Sequence, residues 1–194
     1  MCSQMARQYE LKKRAERQAE TRQRIVDATV GLHTTVGPSR TSIAAIAERA
    51  GVQRHTVYAH FPDERSLFAA CSSHWAAAHP FPDPAPWTRI AEPDRRLRTA
   101  LDDVYRWYEQ VEPHLLLFAR DSTLVPAYGF VTEQRAAGLA AVADLLADGL
   151  PRRKAVRAAV GHALDFQTWS SLVRRQGLTR RQAVEAMVRF VGCV

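Results

Sequence analysis

The stretch from Arg40 to Phe61, RTSIAAIAERAGVQRHTVYAHF, restricts the fold of this chain more than any other. Ile43, Ile46, Ala47 and Ala50 recur at helical spacing and predict a short helix with one apolar face. Thr41 or Ser42 supplies an oxygen to cap it. Gly51 follows at once and can take the left-handed conformation that stops a helix and turns the chain. From Gln53 to His60 the polarity inverts: Gln53, Arg54, His55, Thr56, Tyr58 and His60 are hydrogen-bonding groups, while Val57 and Phe61 are spaced to hold a second helix to a core. Two short helices joined by a tight turn form a helix-turn-helix, an arrangement able to place its second helix in a DNA major groove. A helical hairpin buried in a core has little use for so polar a second helix.

The residue types fit that geometry. Gln and Arg can bond base edges in pairs, and Thr, Tyr and His can donate to phosphate oxygens. Gln53, Arg54 and His55 are therefore candidates for base edges, and Ser42, Thr56, Tyr58 and His60 for the DNA backbone. The segment resembles the DNA-binding segment of TetR-family transcriptional regulators through Thr41, Ile46, Ala47, Ala50, Gly51, Val52, Thr56, Tyr58, His60, Phe61 and Leu67, over roughly residues 22–68. The resemblance implies an all-α homodimer that represses transcription from a palindromic operator and is released by a small ligand. Two positions depart from the family pattern: Gln53 stands where Ser is usual, and Glu64 where a phosphate-contacting Lys is usual. A carboxylate cannot neutralise a phosphate, so either Arg65 takes over that contact or binding is weaker at that point. Arg40 and Thr41 complete the expected DNA-binding set.

Charge supports an anionic partner. The chain has a net charge of +7. Residues 1–62 hold ten Lys and Arg against five Asp and Glu, so +5 of that excess lies in the first third. The three cysteines, Cys2, Cys71 and Cys193, offer neither a zinc spacing nor a disulfide framework and read as reduced thiols. The N-terminus is charged rather than apolar and no run reaches the length of a membrane span. A cytoplasmic bacterial protein, at the nucleoid when bound to DNA, is the expectation.

Along the chain, residues 1–20 read as a basic arm or an extension of the following helix. Residues 21–36 form the first helix of the DNA-binding head, with Thr21, Arg22 and Arg24 near its start, able to meet a phosphate, and His33 near its end as a dipole partner. Asp63 caps a fourth helix over residues 63–78, so that 21–78 make up the head and its connecting helix. Residues 79–93 carry prolines at alternate positions and read as an extended linker. Residues 94–194 form the helical ligand-binding and dimerisation domain. Pro113 starts or kinks a helix there, and helices follow over about 129–150, 152–176 and from a capping box at Thr179-Arg-Arg-Gln182. The last two have more apolar face than one core needs, and the resemblance implies a four-helix dimer interface between them.

No catalytic pattern emerges: the sequence lacks a phosphate-binding glycine loop, a dinucleotide glycine fingerprint, G-x-S-x-G and H-E-x-x-H. The reading is of a regulator rather than an enzyme, with no cofactor and no metal. His162 and Asp165, three apart, read as a surface or core pair, and Asp102, Asp103, Asp144 and Asp148 as solvated helix faces. The resemblance implies a ligand cavity, for which Trp107, His114, Phe118, Tyr128, Phe166 and Trp169 are the candidate lining. The alternative function is a helical small-molecule-binding or dimerisation protein whose head has lost sequence preference.

Overall fold

A computed structural model describes residues 2–151 and 154–194, with side chains from Arg7 onward. Among the described residues every regular element is helical. The order is α1 (Cys2–His33), a 3-10 turn (Pro38–Arg40), α2 (Ile43–Ala50), α3 (Arg54–His60), α4 (Glu64–Ala78), α5 (Ala85–Thr88) and α6 (Pro93–Asp121). A 3-10 turn (Pro126–Tyr128), α7 (Gly129–Ala147), α8 (Lys154–Leu164), α9 (Phe166–Ser170), a π turn (Ser171–Arg175) and α10 (Arg180–Gly192) complete it. The chain divides into two compact units, Met1–Ala78 with Pro113–Val131, and His79–Glu112 with Thr132–Val194.

The first unit is built on α1. Ile25, Val26 and Ala28 are buried together with Ile46, Ala47 and Ala50 of α2, Val57 of α3, Phe61 and Leu67. Residues 1–20 were open between an arm and a helix extension; α1 is one helix from Cys2, and its residues 7–20 are exposed. That continuity corrects the expected free helix start at Thr21. The amides there already sit inside α1, so Arg22 and Arg24 have other partners: Arg22 lies over the Phe61 ring, 4.6 Å from its centroid, and Arg24 donates to the Ala50 carbonyl at 3.2 Å. A cation at the C-terminal end of α2 also complements that helix's dipole. His33 departs from expectation too. It is buried, stacked on Phe68 with centroids 4.9 Å apart, and 3.6 Å from the Cys71 sulfur. Burial lowers its pKa to about 4, with the Asp121 charge opposing, so at neutral pH it is an uncharged core group and no dipole partner. Cys71 is a packed thiol that burial pushes up to about 12.

The second unit is organised around the N-terminal part of α6, whose Leu97, Ala100, Leu101, Val104, Tyr105 and Tyr108 are almost fully buried. The segment after α4 is less extended than its prolines suggest. Residues 85–88 make a helical turn that seats Trp87 in the core and lets its indole donate to Asp103 at 3.0 Å. Pro113 lies inside α6 and does not start a new helix. Pro113 itself is exposed, so its ring lies on the solvent side of α6 while Val111 and Leu115 on either side are buried.

The helix expected over residues 152–176 is broken; its first two residues lie outside the described ones. Asp165 accepts from the Gln167 and Thr168 amides and caps α9, which separates α8 from α9. Tyr105 and Tyr108 take up carbonyls freed at the end of α8, donating to Ala163 at 2.8 Å and Leu164 at 2.6 Å. The capping box at Thr179 and Gln182 is formed, and Arg180 bridges Asp102 and Glu109 on α6. Asp102, Asp103 and Asp144 are thus engaged by Arg180, Trp87 and Arg157 instead of standing as plain solvated faces.

Candidate nucleic-acid interface

The helix-turn-helix is built by local rules. The Ser42 hydroxyl accepts the Ala45 amide at 3.1 Å and starts α2. Gly51, at φ 65°, ends it, and the Val52 amide donates back to the Ala47 carbonyl at 2.9 Å. Gln53 stands at the cap position of α3, but its side chain makes no capping bond. Val57 is wholly buried and Phe61 nearly so, and together they hold α3 to the unit's core.

Everything else on α3 faces outward or partly so. Gln53, Arg54, His55 and Tyr58 are exposed, Tyr58 by 54%, while Thr56 and His60 are half-buried. Arg40 and Ser42 are exposed and Thr41 is half-buried, its hydroxyl donating to the Gly37 carbonyl at 2.9 Å. The ten residues named from sequence therefore all lie in the first unit. Nine of them fall on the run from the 3-10 turn to the end of α3, and Arg65 sits on the first turn of α4, over the Phe130 ring at 5.0 Å. Glu64 is exposed at the start of that helix, where a carboxylate favours the helix dipole.

One part of the head is invisible to local sequence reasoning. The loop that delivers the chain to α2 is fixed from the end of α6. The Asp121 carboxylate is fully buried and accepts the Ser39 amide at 2.9 Å. Arg120 donates to Asp121 at 2.6 Å and to the Val36 carbonyl at 2.9 Å. Its guanidinium, with help from the Ser39 amide, holds the Asp121 carboxyl down at about 2. Gly37 sits between them at φ 94°, where a Cβ would run into both Arg120 and Asp121. Gly37-Pro38 reads from sequence only as a helix stop; nothing local announces a partner 82 residues away.

The six candidate ligand-lining residues divide between the units. His114, Phe118 and Tyr128 belong to the first, where Trp75 donates to His114 at 3.1 Å and packs edge-on against Phe118. Trp107, Phe166 and Trp169 belong to the second, grouped with Tyr108. Trp169 is completely buried and its indole N–H has no hydrogen-bond partner among the described residues. A surface hollow at the end of α7, lined by Asp144, Gly149, Lys154 and Arg157 among others, includes none of the six. No group of three or more His, Cys, Asp or Glu suited to a metal ion occurs among the described residues, and no helix of theirs is long and apolar enough to cross a membrane.

Residues 25–71 match the family model described as bacterial regulatory proteins, tetR family. The chain is 46% identical over 50 residues to the HTH-type transcriptional regulator AcrR of Shigella flexneri, an alignment covering 26% of this chain and 23% of that protein. It is 45% identical over 60 residues to an HTH-type transcriptional regulator of Mycobacterium bovis, covering 30% and 32% of the two chains. The matched stretch thus spans a third or less of these relatives' lengths. In fold it is similar to a TetR-like transcriptional regulator from Rhodococcus sp. RHA1, with a TM-score of 0.58 at 20% identity over 88% of this chain and 93% of that one.

Proposed function

We propose that this chain, whose residues 25–71 match the tetR family of bacterial regulatory proteins, is a dimeric, ligand-responsive repressor that reads a palindromic operator. The observation that carries the reading is α3, a helix anchored by Val57 with Gln53, Arg54, His55 and Tyr58 exposed on its outer side. A short helix held by one apolar edge and polar elsewhere has the form that base and phosphate contacts demand. In this proposal Gln53, Arg54 and His55 read base edges. Arg40, Thr41, Ser42, Thr56, Tyr58, His60 and Arg65 hold the DNA backbone. Pairing of two chains through the last two helices presents two such heads to a two-fold site.

Release requires a ligand that binds more tightly to a form of the dimer with poorly spaced heads, and it weakens DNA binding by that difference in affinity. The aromatic group of the second unit supports such a ligand: the orphaned N–H of Trp169 is a donor awaiting an acceptor.

Selection of random duplexes on the purified protein at two salt concentrations tests the proposal. A shared palindrome with steep salt dependence is the expected result. Arg54→Ala is then expected to weaken operator binding by about 1–3 kcal/mol and relax the preference at one base position. An equal loss on every sequence would make Arg54 a phosphate contact. Recovery of no common sequence would overturn the repressor and leave the small-molecule-binding reading.

A further inference from the structure

The face of α1 that packs the head does not end where the head ends. Ile25 and Thr29 are wholly buried, Ile25 within the helix-turn-helix core. Traced toward the N-terminus at helical spacing, the same face carries Arg22, Gln18, Arg14, Leu11 and Arg7. From Gln18 outward these side chains are exposed, Leu11 by 60%. One carboxylate, Glu10, borders this face, three residues after Arg7 and four before Arg14. Glu16 and Glu20 fall on the other side of the helix, where Glu16 lies 3.9 Å from Lys12. The helix passes the helix-turn-helix at its turn: Arg24 holds the Ala50 carbonyl beside Gly51, and Arg22 covers Phe61 just after α3.

We propose that this uncovered face of α1 is a second DNA-binding surface, in which Arg7 and Arg14 bind phosphates of the duplex flanking the operator. It rests on the reading of the head as a DNA-binding unit and extends its contacts beyond the recognition helix. Charge complementarity picks the occupant. The head already presents an exposed polar helix, and the free face in line with its core side carries Arg7 and Arg14 against the single carboxylate of Glu10. Arg7 lies fifteen residues before Arg22, about 22 Å along a helix at 1.5 Å per residue. At about 3.4 Å per base pair that reaches roughly six base pairs. The guanidinium groups grip phosphates and add no base preference.

Two full-length double variants test the surface on the selected operator, with flanks lengthened in steps and salt varied. R7Q/R14Q removes two charges from the face, and K12Q/R17Q removes the same net charge from elsewhere on the helix. Circular dichroism checks that both keep α1. The expected result is that R7Q/R14Q lowers the slope of log affinity against log salt by about 2 per protomer and abolishes the gain from longer flanks. Base preference stays unchanged, and K12Q/R17Q stays near wild type. Equal slopes for both variants, or no change in either, overturn the second surface while a recovered operator keeps the repressor reading. A slope lost only in R7Q/R14Q on duplexes with no preferred sequence supports the surface and overturns the repressor reading. Failure of the wild-type protein to bind any duplex overturns both.

Discussion

Helices α3 and α10 solve opposite problems. α10 buries Ala183, Val184, Met187, Val188 and Val191, starts on a complete capping box and is tied to α6 by Arg180 and by Arg98, which pairs with Glu185 at 2.7 Å. α3 buries only Val57 and begins at Gln53 with no side-chain cap. Every device that stabilises a helix is present in one and nearly absent in the other. In the proposed function the difference follows from what the side chains are reserved for: residues that are to meet a nucleic acid cannot also fill the core. α3 is therefore held in shape by its neighbours, by the Gly51 turn and by Val57 and Phe61.

The largest effect expected to separate the two units is acid sensitivity. His33 has a folded pKa near 4 against 6.5 when unfolded, so the unfolded chain binds more protons between those values. Its contribution is fully present above pH 6.5 and lost as pH falls toward 4, by about 3 kcal/mol. Asp121, held near 2, loses its contribution only as pH falls from 3.8 through that value. In the second unit, the Glu185 carboxyl, lowered by Arg98, starts to lose its contribution only below about pH 4.5. Hydrogen exchange at pH 7 and pH 4.5 is expected to show the first unit weakening before the second, and His33→Gln to flatten that difference. Equal weakening of both units would break the contrast.

Next in size is the single anchor. Val57→Ala is expected to cost about 2 kcal/mol and to open α3 amides to exchange, with loss of DNA binding. Val184→Ala removes a comparable buried group from α10, but exchange there is expected to rise far less, since four other buried side chains and the Arg180 bridge remain. If α3 amides stay protected in Val57→Ala, the helix has supports beyond those described.

The smallest effects lie at the caps. Thr179→Ala is expected to destabilise α10 by about 1 kcal/mol. Gln53→Ser has the opposite sign: it offers α3 the oxygen it lacks and is expected to stabilise that helix by about 0.5–1 kcal/mol. If the Gln53 amide bonds a base, the same change loosens the preference at that position. Thermal melts and operator binding measured on one sample separate the two consequences.

The parts of the molecule legible in the sequence are those set by short-range chemistry. The Ser42 cap, the Gly51 turn and the Thr179 box each depend on residues within a few positions of one another, and each is formed. The break at Asp165 was legible in principle, because an Asp before Phe-Gln-Thr is a cap signal. Its apolar surroundings concealed it, since Val160, Ala163, Leu164 and Trp169 continue the pattern of one longer helix. His33 was misread for a related reason: a basic residue in a last turn favours the dipole only while it remains charged, and burial forbids that charge.

By itself the sequence determined that the chain is helical, where its helix-turn-helix lies and which residues that motif leaves polar. Hydrophobic period, caps and glycines act over a turn or two of chain, and they are written in order. Tertiary structure alone decided that Asp121 and Arg120 clasp the loop before α2, that His33 and Cys71 meet in a core, and that the six aromatic and histidine candidates divide between two units. Those outcomes depend on which distant surfaces lose their water together. Burial sets the charge of a histidine or the pairing of a carboxylate only after the fold has brought its neighbours into place.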